Sequence, residues 1–177
     1  MGLIETTPRL ETRRLTLRAP RLEDAPALAA FAGDLDVSRM TARMPHPYGL
    51  NDAHDWIAAS AGQDPREETS FVVEHDDEGL VGAMGVFRGE EGAHEVGYWI
   101  ARPYWGRGYA TEAVTALVGW AATAKRRRLL AAGHFEDNPA SGAVLVKAGF
   151  LYTGVRDALY SRARNASVAV RRMVRLT

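Results

Sequence analysis

The stretch that most restricts the fold of this chain joins a predicted strand to a long amphipathic helix through two closely spaced glycines. Residues 94–101, HEVGYWIA, are predicted as the strand. The glycine pair GRG at 106–108 follows after a short connection, and residues 109–125 then have a helical apolar period. The stripe on that helix comprises Ala110, Ala113, Val114, Leu117, Val118 and Ala121. The chain must therefore turn sharply from strand to helix at the glycines.

The glycine pair has a chemical consequence as well as a geometric one. The first backbone amides of a helix have no partners within it, and together with the positive end of the helix dipole they favour an anion. Glycine lets the main chain approach such an anion closely. Arg107, between Gly106 and Gly108, adds a charge within reach of a phosphate oxygen. A tight turn with a solvated arginine would account for the same residues, so the motif alone is a weak signal.

The rest of the chain alternates strand-like and helix-like segments. Besides residues 94–101, we predict strands at 13–20, 69–76, 79–89, 128–135, 150–157 and 166–176. We predict helices at 21–33, ending at Gly33, at 53–61, capped by Asn51 or Asp52, at 109–125 and at 139–149. This order predicts an α+β or mixed α/β fold with parallel pairing near the middle of the sheet.

Composition restricts the class of protein. A length of 177 residues fits one domain, residues 1–177. Lysine plus arginine equals aspartate plus glutamate, 22 each, so no overall charge favours nucleic acid or a membrane surface as a partner. The absence of cysteine excludes disulfides and a cysteine nucleophile. No targeting or membrane-spanning segment is visible, so a cytoplasmic location is expected.

Several segments together resemble the GNAT superfamily of acyl-CoA-dependent N-acetyltransferases. The loop pattern of that family is Gln or Arg, two residues, Gly, one residue, then Gly or Ala. Gly108 and Ala110 match its end, while Trp105 occupies its first position. The stretch YWGRGYATEA and the segment EDNPASGAVLVKAGF (136–150) are similar to the RimJ/RimL branch, which acetylates ribosomal-protein N-termini. The resemblance covers residues 9–176.

This resemblance implies a GNAT-like fold, a twisted, mostly antiparallel sheet whose parallel pair, 94–101 and 128–135, splays apart around acetyl-CoA. It implies that the pyrophosphate binds to the backbone amides of Gly106, Arg107, Gly108, Tyr109 and Ala110. The pantetheine arm would pair with backbone groups of Ile100 and Ala101 and contact Asn138. Arg102 and Arg107 are candidates for phosphate contact, although either can equally be solvated.

Two residues are candidates for the chemistry. Glu95 lies at the start of the strand that precedes the anion loop, residues 106–110. Related enzymes often carry a catalytic glutamate there, and Glu95 is expected to act as base or to position the acceptor. The resemblance also implies a bulge in this strand, which would break the alternation of its side chains after about Tyr98. Ser141 is the candidate for protonating the departing sulfur, because Leu145 stands where many relatives have a tyrosine acid. Ser141 also fits a structural role at a helix start capped by Asn138.

The sequence indicates the identity of the acceptor amine less clearly than the fold or the cofactor. The expected pocket is formed by the early helices and the loop at 40–52, with His46 and Tyr48 as weak candidates. His134 is expected to be structural, and no metal site is predicted. We expect transfer of an acetyl group to a primary amine, such as a protein N-terminal α-amine. The alternatives are a polyamine or aminoglycoside acetyltransferase and an acyl-CoA sensor without efficient turnover. A homodimer is an open expectation.

Overall fold

One sheet of eight strands organises the residues that the computed structural model describes, 7–89 and 92–177. Its spatial order is β1-β2-β3-β4-β5-β6-β8-β7. The strands are β1 (Leu10–Glu11), β2 (Leu15–Arg18), β3 (Thr69–His75), β4 (Gly79–Arg88), β5 (His94–Ile100), β6 (Leu129–Phe135), β7 (Leu151–Ser161) and β8 (Ala166–Leu176). The helices are α1 (Ala25–Ala32), α2 (Leu35–Ser38), α3 (Leu50–Ala61), α4 (Tyr109–Thr123) and α5 (Pro139–Lys147).

The strand pairing confirms the predicted fold class. Every neighbouring pair in the sheet is antiparallel except β5 and β6, which run parallel. Helix α4 connects these two strands, as a parallel pair requires. Their pairing is short: only His94 with Leu130 and Glu95 with Ala131 are in register. The splayed parallel pair is therefore confirmed, and it opens immediately after Glu95.

Two apolar clusters cover the two faces of the sheet. The larger contains the buried stripe of α4, namely Ala113, Val114, Leu117, Val118 and Ala121, packed on β2 to β6 together with Leu145 and Phe150. The smaller lies between α1, α3 and the other face, and includes Leu28, Ile57 and Val72. The predicted stripe of α4 is confirmed except at its first turn, where Tyr109 is buried and Ala110 only partly so. No helix among the described residues is both long and apolar enough to cross a membrane.

The start of α3 differs from the prediction. The helix begins at Leu50, three residues before the predicted start at residue 53, and Gly49 is its N-cap residue. Asp52 does bind the helix start, but from inside the first turn: its Oδ2 accepts from the Gly49 amide at 2.8 Å. A carboxylate at the third helical position can satisfy a free amide as well as a side chain before the helix. Neither Asn51 nor Asp52 is therefore the N-cap residue.

The bulge expected in β5 is absent, and that expectation was wrong. β4 and β5 pair residue for residue from Gly82 with Ile100 to Arg88 with His94. The alternation of β5 is thus unbroken. Val96, Tyr98 and Ile100 pack against the α4 cluster, whereas Trp99 packs against the α1–α3 cluster. The cleft arises because β6 leaves β5, and β5 itself stays regular.

A buried ion cluster joins β2 and β3 to the start of α1. Arg18 forms a bidentate pair with Asp24, both bonds at 2.8 Å, and also binds Glu74 of β3. Burial would raise the pKa of Asp24, but hydrogen bonds from Arg18 and the Arg21 amide hold it below its usual value. This cluster fixes α1 against β2 and β3, and so fixes one wall of the predicted acceptor side.

Candidate functional site

The gap between β5 and β6 exposes backbone groups of β5. The Ala101 amide donates to the Val81 carbonyl at 2.8 Å and the Gly89 amide to the Ala93 carbonyl at 2.7 Å. Odd-numbered residues of β5 therefore bond to β4, and even-numbered residues direct their backbone groups toward β6. Beyond Glu95, β6 no longer pairs with β5. The backbone groups of Tyr98 and Ile100 consequently face the cleft.

Of the backbone groups of Ile100 and Ala101 that were predicted to bind the pantetheine arm, two are already hydrogen-bonded within the protein. The amide of Ala101 is engaged by Val81. The carbonyl of Ile100 accepts from the indole Nε1 of Trp105 at 2.6 Å. The amide of Ile100 and both backbone groups of Tyr98 are the groups left pointing to the gap. A pantetheine arm in this cleft would meet those three groups first.

The anion loop has the backbone shape that its glycines predict. Gly106 and Gly108 have φ values of 75° and 81°, in the left-handed region that favours glycine. Gly108 is the N-cap residue of α4 and offers no side chain to cap the helix. The first helical bond of α4 runs from the Glu112 amide to the Gly108 carbonyl, so the amides of Tyr109, Ala110 and Thr111 have no partner within the helix. The strand-to-helix turn therefore carries several amides suited to an anion.

The two arginines proposed for phosphate contact are both in ion pairs. Arg102 Nε lies 2.6 Å from Asp34 Oδ2, and Arg107 Nη1 lies 2.6 Å from Glu78 Oε1. Both side chains are exposed, and such pairs contribute little to stability. Either arginine can therefore exchange its partner for a phosphate without large loss.

A third arginine, Arg14, lies beside the loop, and no local pattern in the sequence indicates it. Its Nη1 donates to the Arg107 carbonyl at 3.0 Å, and its guanidinium lies over the Tyr109 ring at 4.8 Å. Glu112 holds it with an ion pair of 2.7 Å. Burial opposes ionisation of Glu112, but hydrogen bonds from Thr12 and Arg14 keep its pKa below the usual value. Arg14 thus braces the loop from a segment more than 90 residues earlier in the chain.

The helix start predicted to hold Asn138 and Ser141 forms as expected. Asn138 caps α5, its Oδ1 accepting from the Ser141 amide at 3.2 Å, and Pro139 occupies the first helical position. The Ser141 hydroxyl lies 2.8 Å from the hydroxyl of Tyr98, which also donates to the Ser141 carbonyl at 3.0 Å. Tyr98 and Ser141 therefore form a pair across the mouth of the cleft.

Tyr98 brings a phenol to this helix start from β5. Burial raises the pKa of Tyr98 to about 12, although the hydrogen bond with Ser141 acts in the opposite direction. Tyr98 is consequently protonated at neutral pH and acts as a hydrogen-bond donor. Leu145, at the position where relatives have a tyrosine, is fully buried in the α4 cluster. Leu145 therefore contributes apolar packing.

Glu95 lies at the closed end of the cleft, on the opposite face of β5 from Tyr98. Its Oε1 is 3.9 Å from Arg172 Nη1. The side chain is three-quarters buried, with 24 % exposed. The structure therefore does not bring Glu95 into contact with Ser141; the two candidates flank the cleft from different faces of the sheet.

The remaining candidates have structural surroundings. His134 is buried; its Nδ1 bonds to the Phe135 carbonyl at 2.8 Å and its Nε2 to the Tyr152 hydroxyl at 3.0 Å. Tyr48 packs against the α1–α3 cluster, and burial raises its pKa to about 12, with Asp52 and Asp55 adding to the shift. In the part of the chain that the structure describes, neither is hydrogen-bonded to the Tyr98–Ser141 pair.

The loop predicted to line the acceptor pocket is fastened to the turn between β7 and β8. The Arg162 amide donates to the Ala42 carbonyl at 3.0 Å, and Ser161 Oγ to the Thr41 carbonyl at 3.2 Å. Arg164 donates to the Arg39 carbonyl at 2.6 Å and pairs with Asp137 at 2.7 Å. These bonds place the loop beside Asp137, one residue before the cap of α5.

Comparison with known proteins gives this geometry a family. Residues 14–151 match the model of an acetyltransferase (GNAT) domain. A relative from Bacillus licheniformis, named as the N-acetyltransferase p20, is 31% identical over an alignment of 169 residues that covers 91% of this chain and 92% of the relative.

Solved structures agree in fold. RimL, a ribosomal L7/L12 α-N-protein acetyltransferase in complex with coenzyme A, superposes with a TM-score of 0.82 at 19% identity, covering 96% of this chain and 98% of RimL. A spermidine N-acetyltransferase from Vibrio cholerae, in complex with coenzyme A and spermine, has a TM-score of 0.76 at 18% identity, covering 93% and 96%. Two enzymes with different named acceptors thus share this fold.

Proposed function

Since the chain belongs to the GNAT family of acetyltransferases, and is an acetyl-CoA-dependent N-acetyltransferase, we propose that it acetylates the α-amine of a peptide or protein N-terminus, as the RimJ/RimL branch does. The observation that carries the proposal is the Tyr98–Ser141 pair at the mouth of a cleft that begins at the glycine loop. The remaining support comes from the resemblance of YWGRGYATEA and of residues 136–150 to that branch.

The residues of the cleft fit the parts of acetyl-CoA. The free amides at the start of α4, with left-handed Gly106 and Gly108, suit its pyrophosphate. Arg107 lies within this loop and Arg102 shortly before it, and each would bind a phosphate by exchanging its exposed carboxylate partner for it. The amide of Ile100 and the backbone of Tyr98 suit the amide groups of the pantetheine arm. Asn138 caps α5 at the other wall of the same cleft.

Acetyl-CoA supplies an acyl thioester, and the residues around it have to handle one proton and one leaving group. The acceptor nitrogen forms a bond to the carbonyl carbon, the carbon–sulfur bond breaks, and the nitrogen loses a proton. An α-amine has a pKa of about 8, so a substantial fraction is neutral at physiological pH and a weak base suffices. Glu95 is the proposed base, directly or through water, and the proton passes from it to solvent.

Ser141 is proposed to donate a hydrogen bond to the sulfur. Either oxygen of the Tyr98–Ser141 pair can be the donor. When Tyr98 donates its one proton to the serine oxygen instead of to the Ser141 carbonyl, the serine proton is free to point to the sulfur. A thiol has a pKa of about 8.5, whereas that of Tyr98 is about 12. Tyr98 therefore keeps its proton while the thiolate departs as an anion. This changes the role expected of Ser141 from proton donor to hydrogen-bond donor.

The test is thiol release from acetyl-CoA, followed with a thiol-reactive chromophore. The acceptors are peptides with different N-terminal residues, the same peptides with blocked N-termini and a free lysine, spermidine, and an aminoglycoside. Turnover that requires the free α-amine supports the proposal. Turnover confined to spermidine or the aminoglycoside would replace it with small-molecule acetylation. Coenzyme A binding without turnover on any amine would favour a sensor.

A further inference from the structure

Residues 12–14, between β1 and β2, are joined to the first turn of α4 next to the glycine loop. Glu112 accepts from Thr12 Oγ1 at 2.7 Å and from the Arg14 amide at 2.8 Å. The same carboxylate accepts from Arg14 Nε at 2.8 Å and pairs with Arg14 Nη2 at 2.7 Å. Arg14 is therefore anchored to α4 by its main chain and by its side chain.

A ring of contacts closes around the glycine loop through Arg14. Arg14 Nη1 donates to the Arg107 carbonyl at 3.0 Å. On the helix side, the Glu112 amide donates to the Gly108 carbonyl at 3.1 Å, while the Glu112 carboxylate holds Arg14. Arg14 also lies over the Tyr109 ring, 4.8 Å from its centre. The peptide between Arg107 and Gly108 is therefore held by a residue from outside the loop.

The glycines of the loop allow its shape but do not impose it. Gly106 and Gly108 have positive φ values, which glycine adopts about as readily as negative ones. A loop with a glycine on each side of Arg107 can therefore rotate the peptide planes between them at little cost. The hydrogen bond from Arg14 selects one orientation of the Arg107–Gly108 peptide. Arg14 thus supplies the constraint that the glycines lack.

This orientation determines where the Gly108 amide points. In a trans peptide the N–H group is directed opposite to the carbonyl of the preceding residue. Because the Arg107 carbonyl points to Arg14, the Gly108 amide points away from Arg14. It has no hydrogen-bond partner among residues 7–89 and 92–177. It is therefore available to an anion at the start of α4, in addition to the free amides of the helix itself.

Arg14 itself is poorly suited to bind a phosphate directly. Its three guanidinium nitrogens are all engaged, Nε and Nη2 by Glu112 and Nη1 by the Arg107 carbonyl. Its charge is compensated by the same Glu112 carboxylate. The role that remains for Arg14 is to fix the loop, and the loop in turn would bind the anion.

Resting on the proposed function, we propose that Arg14 is a positioning residue for the diphosphate of coenzyme A. By holding the Arg107 carbonyl, Arg14 keeps the loop of the free protein in the conformation that binds the diphosphate. The apparent affinity of a ligand falls with the fraction of protein that is in the competent conformation. Arg14 therefore determines how tightly the diphosphate is bound, although it belongs to the connection between β1 and β2.

The test measures binding rather than turnover. Calorimetry is performed with coenzyme A, with dephospho-coenzyme A, which keeps the diphosphate, and with pantetheine, which lacks it and is measured by displacement of coenzyme A. In Arg14→Gln we expect the affinity for both diphosphate ligands to fall roughly three- to ten-fold, the size of one hydrogen bond. The affinity for pantetheine should change by less than about two-fold. A general loss of structure would weaken all three ligands alike.

Arg13→Gln is the matched control, because it removes the same charge from the same segment. Arg13 is exposed, and no hydrogen bond or ion pair connects it to the loop within residues 7–89 and 92–177. All three affinities should be retained in this variant.

Arg14→Lys keeps the charge but loses the planar fork that holds Glu112 and the Arg107 carbonyl together. We expect a smaller loss than in Arg14→Gln, again confined to the two diphosphate ligands. Urea unfolding without ligand shows whether each variant is folded, and Arg14→Lys decides the matter if Arg14→Gln is unstable. Full affinity of Arg14→Lys together with a loss in Arg13→Gln would show that charge, and not position, matters, and would contradict the proposal.

The failure of this inference can be distinguished from that of the proposed cofactor site. An equal loss for pantetheine, or full affinity of Arg14→Gln for coenzyme A, overturns the role of Arg14 alone. A loss with coenzyme A that is absent with dephospho-coenzyme A places the effect at the 3′-phosphate and overturns it as well. If the wild-type protein binds pantetheine as tightly as coenzyme A, the loop does not bind the diphosphate, and the proposed site fails together with this inference.

Discussion

Replacing Gly108 by alanine tests whether the left-handed glycine loop holds coenzyme A. Gly108 has a φ of 81°, a conformation that costs an alanine about 1–2 kcal/mol. Steric conflict is a minor term, because the nearest atom to a new Cβ is Nη2 at the end of the flexible Arg14 side chain, 3.4 Å away. The penalty therefore comes from the backbone.

That penalty can be expressed in two ways. If the loop keeps its shape, the unfolding free energy of the free protein falls by about 1–2 kcal/mol. If the loop relaxes, the free protein loses less, but binding must restore the loop, and coenzyme A affinity falls by roughly 5- to 30-fold. The loss of stability in the free protein and the loss of binding free energy together equal the one backbone penalty at Gly108. The unfolding free energy with saturating coenzyme A should therefore fall by about 1–2 kcal/mol in either case.

Gly119→Ala is the matched control in the same helix. Gly119 lies inside α4, and nothing is within 4 Å of a new Cβ. Alanine should stabilise this position by about 0.5–1 kcal/mol and leave coenzyme A affinity unchanged. Urea unfolding with and without coenzyme A, together with calorimetric titration, measures all of these quantities. Opposite signs for the two variants are expected; a Gly108→Ala protein equal to the wild type in both stability and affinity would refute the reasoning.

Three further outcomes are expected from the site and the core. Tyr98→Phe removes the hydroxyl that holds Ser141 and should lower kcat roughly ten-fold with little change in KM for acetyl-CoA. Because Tyr98 and Ser141 act through one hydrogen bond, the double variant with Ser141→Ala should lose less kcat than the product of the two single losses. Glu95→Gln should slow acetylation while coenzyme A affinity stays within a few-fold, and an unchanged rate in a pre-steady-state measurement would remove Glu95 from the mechanism. Asp24→Asn leaves Arg18 with Glu74 alone and should lower the unfolding free energy by about 3 kcal/mol at pH 7. Because the pKa of Asp24 is lowered in the folded protein, the stability that Asp24 contributes is present above its unfolded pKa of about 3.9 and is lost as pH falls through its folded pKa. In urea unfolding, the difference in stability between Asp24→Asn and wild type should therefore narrow below about pH 4.

Features encoded within a short stretch of chain were predictable from the sequence. The turn at Gly106 and Gly108 and the cap of α5 by Asn138 each depend on residues within a few positions of one another. The buried stripe of α4 follows from helical period alone. In these cases the local pattern and the tertiary structure favour the same conformation, so the prediction is correct without knowledge of the neighbours.

Features that depend on distant segments were not predictable. The bond between Tyr98 and Ser141 joins residues 43 positions apart, and that between Arg14 and the loop joins residues 93 apart. No periodicity in the chain reports such a pairing. The expected bulge in β5 was wrong for a related reason: the splay is a property of where β6 departs, and β6 lies beyond α4 in the sequence.

The two walls of the cleft differ in what their sequences must retain. The wall proposed to bind coenzyme A needs glycine at Gly108 for its dihedral angle and asparagine at 138 for its cap. The loop proposed to line the acceptor pocket is attached differently: residues at the turn between β7 and β8 donate to the backbone carbonyls of residues 39, 41, 42 and 43. Because a carbonyl is supplied by any residue, the side chains of that loop can change without releasing it. Acceptor specificity can therefore diverge on this fold while coenzyme A binding is kept, which is consistent with RimL and a spermidine acetyltransferase having the same architecture.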